Sequence, residues 1–100
     1  MENRLWLELC WLLNMLEEEG WSSSSVSVRC KRDGSMYITW GAAFEVIYVP
    51  EHPSISVRWT RAPGNTNVFA HYAGGRWEIS PARHATRKDI RNLFGIRRAS

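Results

Sequence analysis

Only two cysteines, Cys10 and Cys30, occur in the 100 residues. They lack the spacing of a metal-binding or disulfide framework. Cys10 falls on the apolar flank of a helical pattern, and Cys30 alternates with Val26 and Val28, so both read as small buried hydrophobes. Such thiols suit a reducing, cytoplasmic compartment. The chain also lacks an apolar run long enough to span a bilayer, because Glu8 and Asn14 interrupt the stretch from Leu5 to Leu16. Without a basic leader or a small-residue cleavage site, that stretch is not read as a signal peptide either. No nucleophile elbow, glycine-rich phosphate loop or His-Glu-x-x-His is present. His52, His71 and His84 fall in a proline turn, a strand and a loop before a helix, without ligand-like spacing. Neither a metal nor a cofactor is therefore expected. No repeat and no composition break divides residues 1–100, which read as a single domain.

Against these absences stands one long helical pattern, Arg4 to Glu19. At about 100° per residue, Leu5, Leu9, Leu12, Leu13 and Leu16 share a face that should lie on a core, with Trp6 beside it. The opposite face carries Arg4, Glu8, Glu18 and Glu19, and also Leu7, Trp11 and Met15 at intervals of four. The spacing predicts an apolar ridge on a charged face, which marks an interface with another protein or with a second copy of the chain. Of the six tryptophans, most should fill the core, with Trp11 the exception, since tryptophan is enriched where proteins bind one another. Asn3 is placed to cap the helix and Gly20 to stop it. Glu17, Glu18 and Glu19 crowd its last turn, where the helix dipole prefers cations. They are expected to stay solvated, or to meet basic residues of the sheet, the tail or a partner.

From Val26 the period changes to two. Val26, Val28 and Cys30 alternate with Ser27, Arg29 and Lys31, Asp33-Gly34 supplies a turn, and Met36, Ile38 and Trp40 return. Phe44 to Val49, apolar on both faces apart from Glu45, reads as a central strand covered on both sides. Ile55, Val57 and Trp59 alternate with Ser54, Ser56, Arg58 and Thr60. Val68–Ala73 and Arg76–Ser80 flank the Gly74-Gly75 turn, and Pro81 should end the sheet. Thr86 and Asp89 resemble a capping box for a short helix carrying Ile90, Leu93 and Phe94, which Gly95 should stop before a basic tail. The fold class expected is α+β: a long N-terminal helix packed on an antiparallel meander of about five or six strands, then a short C-terminal helix.

Charge is unevenly placed. Glu2, Glu8, Glu17, Glu18 and Glu19 face only Arg4 in residues 1–20, whereas Arg76, Arg83, Arg87, Lys88, Arg91, Arg97 and Arg98 outnumber Glu78 and Asp89 in residues 76–100. A basic end can meet phosphate or an acidic protein surface. Three functions follow. A non-enzymatic binding protein would dock through Leu7, Trp11 and Met15, with Glu17, Glu18 and Glu19 mimicking phosphates toward an arginine-lined groove. A sequence-tolerant nucleic-acid binder would use Arg29, Lys31 and Arg58 beside Tyr37 and Thr39, with Arg87, Lys88, Arg91, Arg97 and Arg98 gripping backbone. A metal-free ribonuclease would draw on His71, Arg76 and His84.

The first of these is the leading expectation. In compact size, charge polarity, abundant aromatics and lack of a catalytic signature, the chain resembles the small proteins with which phages and mobile elements block host defence complexes, anti-CRISPR proteins among them. The likeness lies in format and rests on no shared motif. It implies a steric inhibitor that occupies a protein or nucleoprotein surface.

Overall fold

The computed structural model describes residues 3–21, 25–60, 68–80 and 83–99, with side chains described from residue 4 to residue 95 of these. Helix α1 (Asn3–Glu18) leads into strands β1 (Val26–Cys30), β2 (Met36–Trp40), β3 (Phe44–Val49), β4 (Ser54–Trp59), β5 (Val68–Ala73), β6 (Arg76–Ile79) and β7 (Arg83–Ala85), and α2 (Arg87–Ala99) closes the chain. The seven strands pair antiparallel in their sequence order, β1 to β7. This is the α+β architecture expected, with more strands: β7 pairs with β6 beyond Pro81, in a stretch that reads as loop. Gly74 and Gly75 both take positive φ, +61° and +81°, as a tight two-residue hairpin turn between β5 and β6 requires.

Alternation gives the sheet two unlike faces. Tyr48, Ile55, Tyr72 and Trp77 align across β3 to β6, and Phe44 and Trp59 align beside them. Both helices pack on this face. Trp6 meets Tyr48 edge-on at 5.9 Å, Trp11 meets Trp77 at 6.3 Å, and Phe94 of α2 meets Phe44 at 5.0 Å. Phe44 is the hub of the core, also touching Trp21, Trp40 and Trp59. Between Val57 and Arg58 the β4–β5 register shifts, which leaves Phe69 as the extra residue of a bulge. The bulge turns its ring onto Trp59, stacked at 4.0 Å, and toward Phe94. On the other face no described element covers the sheet, so β3 is covered on one side rather than two.

Several local expectations need correction. Trp21 belongs to the core and to the end of α1: its ring packs on Phe44, and its backbone N–H bonds to the Leu16 carbonyl while Gly20 N–H bonds to that of Glu17. These two bonds close α1 in a Schellman motif. Cys30 is exposed rather than buried, and Cys10 is half-buried; both are free thiols. Trp6, half exposed, is the tryptophan outside the core in place of Trp11. Thr86 and Asp89 form the capping box reciprocally, at 2.9 and 3.2 Å, and the backbone N–H of Thr86 holds the Asp89 carboxyl below its ordinary range. Gly95 does not stop α2, which continues to Ala99. Gly95 instead allows close approach, because a Cβ there would lie 2.9 Å from Glu19 Oε1.

The helices are tied by charge as well as by apolar contact. Glu8, expected on the solvent face, is buried; its Oε2 accepts from Trp77 Nε1 at 2.6 Å and from Arg87 Nε at 3.1 Å, and its Oε1 from Arg87 Nη2 at 2.6 Å. At the other end of α1, Arg91 donates to Glu18 Oε1 at 2.6 Å and Glu19 Oε2 at 3.1 Å. The cation that the α1 C-terminus lacks in its own sequence is thus supplied by α2. Removing the Glu8 carboxylate strands a buried indole N–H and a guanidinium. Glu8→Ala should lower unfolding stability by about 2–3 kcal/mol, at the low end for a broken buried pair because Arg87 stays half in water. Denaturant midpoints would show it, and Glu8→Gln, which keeps an acceptor for Trp77, should lose less.

Candidate functional site

The apolar ridge expected on α1 does not form. Leu7 is 63% exposed, Trp11 is half-buried between Trp77 and the Arg87 guanidinium, and Met15 is 1% exposed in the core. The reason is geometric. A step of four residues advances about 40° around a helix, so two steps carry the stripe about 80° from solvent to core. Two of the three carboxylates beside it are also committed: Glu18 and Glu19 already hold Arg91, while Glu17 is exposed. The C-terminal cations fare likewise, because Arg87 and Arg91 serve α1. Lys88 is exposed, and the side chains of Arg97 and Arg98 lie outside the described residues.

The open sheet face is where the remaining candidates converge. Pairwise registers set Arg29, Tyr37, Ile47, Ser56, His71, Glu78 and His84 side by side, one from each strand from β1 to β7. Six strand spacings make this row roughly 29 Å long. At its β1 end the Arg29 guanidinium lies 4.9 Å and the Lys31 ammonium 4.8 Å from the centroid of the Tyr37 ring. In the adjoining row Glu45 Oε1 accepts from Arg58 Nε at 2.9 Å and Oε2 accepts from Thr39 at 3.2 Å. Arg58 is therefore neutralised in place, and of the three sheet cations expected to act together, Arg29 and Lys31 are the exposed ones.

Toward β7 the same row gathers the histidines. Ser56 Oγ lies 3.0 Å from His71 Nδ1, Arg76 Nη1 lies 3.2 Å from His84 Nε2, and Glu78 Oε2 lies 3.9 Å from that nitrogen. Beside His71 and Glu78 is a depression of about 220 Å³, walled also by Val68, Phe69 and Ser80. His71, Arg76 and His84 thus lie on the same face of three consecutive strands, with Arg76 reaching His84. The sequence reading missed Ser56 and Glu78; their strand alternation was visible, but their register was not. Among the described residues no cluster of three or more His, Cys, Asp or Glu could hold a metal ion, and no helix is long and apolar enough to cross a membrane.

Comparison with protein-family models, curated proteins and solved structures gives no match to this chain. Function must therefore be reasoned from the faces the fold leaves open. The two ends of the failed ridge should respond oppositely to truncation. Met15→Ala should cost about 2–5 kcal/mol through the cavity it leaves. Leu7→Ala should stay within about 0.5 kcal/mol. Thermal unfolding of the two variants followed by circular dichroism distinguishes a core residue from an exposed one.

Proposed function

We propose that the open sheet face binds single-stranded nucleic acid with little regard to sequence. The observation that carries this reading is the Tyr37 ring flanked by Arg29 and Lys31 on an uncovered face. An aromatic ring offers every base a stacking surface, and the two cations now held over it can turn to the phosphates of a stacked nucleotide. The row continues across the whole sheet, so a strand can run past Ile47 toward His71 and Arg76 without meeting another layer among the described residues. Glu45 does not repel it, because Arg58 and Thr39 already satisfy that carboxylate. A labelled uridine 12-mer read by fluorescence anisotropy tests the reading. Affinity should fall steeply with salt, and Arg29→Ala or Lys31→Ala should each flatten the salt slope by about one phosphate contact. Tyr37→Ala should cost about 1–3 kcal/mol with the slope unchanged. Absence of binding at low salt would remove the proposal.

A second reading, docking of a protein and steric inhibition by it, is favoured by the free edge of β1. There Val28 is 59% exposed beside a groove of about 380 Å³ between α1 and the sheet, lined by Leu13, Trp21, Val26, Ile38 and Trp40. The buried indole N–H of Trp21 finds no acceptor among the described residues. An edge strand with an apolar flank invites pairing with another strand. If two copies meet there, light scattering should give a dimer for the native chain and a folded monomer for Val28→Lys.

A further inference from the structure

The β7 end of the open face holds more chemistry than binding requires. Two imidazoles flank one carboxylate in the row and a guanidinium reaches one of them, next to a depression large enough to seat part of a nucleotide. We propose that this end of the row cleaves RNA by transesterification, an inference that rests on the nucleic-acid reading of the same face. His71 and His84 lie on strands on either side of β6, roughly 10 Å apart at the backbone. Glu78 lies between them on β6, so a phosphodiester that reaches both rings must lie over that carboxylate, on the solvent side of the row.

The hydrogen bonds assign the roles. Arg76 can only donate, so the His84 Nε2 facing it carries a lone pair. His71 points Nδ1 at Ser56 Oγ, which fixes the ring and leaves Nε2 as its working nitrogen. A phosphate bound by Arg76 takes over its N–H donor and frees His84 Nε2. That nitrogen removes the proton from the ribose 2′-hydroxyl as its oxygen forms a bond to phosphorus. The bond from phosphorus to the 5′-oxygen breaks, and the acid form of His71 gives that oxygen its proton from Nε2. The products are a 2′,3′-cyclic phosphate and a 5′-hydroxyl. Protons are conserved between the two rings and the substrate, no electron is transferred, and no co-reactant is consumed. Arg76 neutralises the charge that grows on the phosphoryl oxygens. Glu78 is the register neighbour of both histidines, and its charge steadies the imidazolium while opposing the phosphate.

That last property separates a catalytic arrangement from a merely basic surface. Glu78→Gln should bind RNA more tightly and cut it more slowly, whereas a structural role would leave the two readouts moving together. The full chain is incubated, with EDTA present, with a 5′-labelled uridine 12-mer and with its all-deoxy counterpart, and fragments are identified by mass spectrometry. RNA fragments ending in a cyclic phosphate are expected, and the deoxy strand, which has no 2′-hydroxyl, should stay whole. His84→Ala and His71→Gln should each slow cutting by about 100-fold or more while anisotropy still reports binding. RNA that is bound but remains intact overturns the inference and leaves the binding reading standing. Cutting that persists in the doubly substituted His71→Gln, His84→Ala protein overturns it as well, since the activity then belongs to a contaminant. RNA that is not bound at all removes both readings together.

Discussion

One carboxylate, Glu8, joins three parts of the chain, α1, β6 and α2, at a single buried point. Its two oxygens take an indole N–H from β6 and two guanidinium N–H groups from the start of α2. Burying a carboxylate is costly unless its lone pairs are filled, and here Trp77 and Arg87 fill them. The requirement is directional in a way that leucine packing is not. It fixes the rotation of α1 on the sheet and the point at which α2 begins. Arg87 also lies over the Trp11 ring at 5.0 Å, so one side chain covers the seam between α1 and the sheet. The second clamp, Arg91 on Glu18 and Glu19, repeats the arrangement at the other end of α1. Both helices are thereby held on one face.

That one-sidedness shapes what the surface can do. Apolar residues from seven strands crowd beneath two helices, and the polar residues that alternate with them are left together on the far side. Each hairpin aligns its strands with the next, so single polar residues at period two become a transverse row. The chemistry of the open face is a by-product of register. Cations and an aromatic ring collect at the β1 end, imidazoles and a carboxylate at the β7 end, and Ile47 and Ser56 lie between.

Much of the fold was legible in the residues. Leucines at helical spacing located α1, alternation located six strands, Gly74-Gly75 located a hairpin, and Thr86 with Asp89 located the start of α2. What escaped depended on distance along the chain. Glu8 reads as a surface residue until Trp77 and Arg87, 69 and 79 positions away, arrive to bury it. Strand β7 is three residues long and holds Arg83 and His84, so neither length nor apolar content announces it. The stripe of Leu7, Trp11 and Met15 was visible, but a spacing of four drifts around a helix, and drift is easily mistaken for a face. The grouping of Ser56, His71, Glu78 and His84 required three registers at once, and no single segment encodes that.

The meander has a consequence for how the molecule is made. Every strand pairs with its neighbour in sequence, so the sheet can grow by adding hairpins in the order of synthesis. Helix α1 is complete first, yet the residue that anchors its Glu8, Arg87, comes 79 positions later. At ribosomal speeds that delay is roughly 4–16 s. During it, Leu5, Leu9, Leu12 and Leu16 have only a growing, one-sided sheet to shield them. A nascent chain of this design depends on prompt covering of its first helix, by its own strands or by a chaperone, long before its last helix can lock it in place.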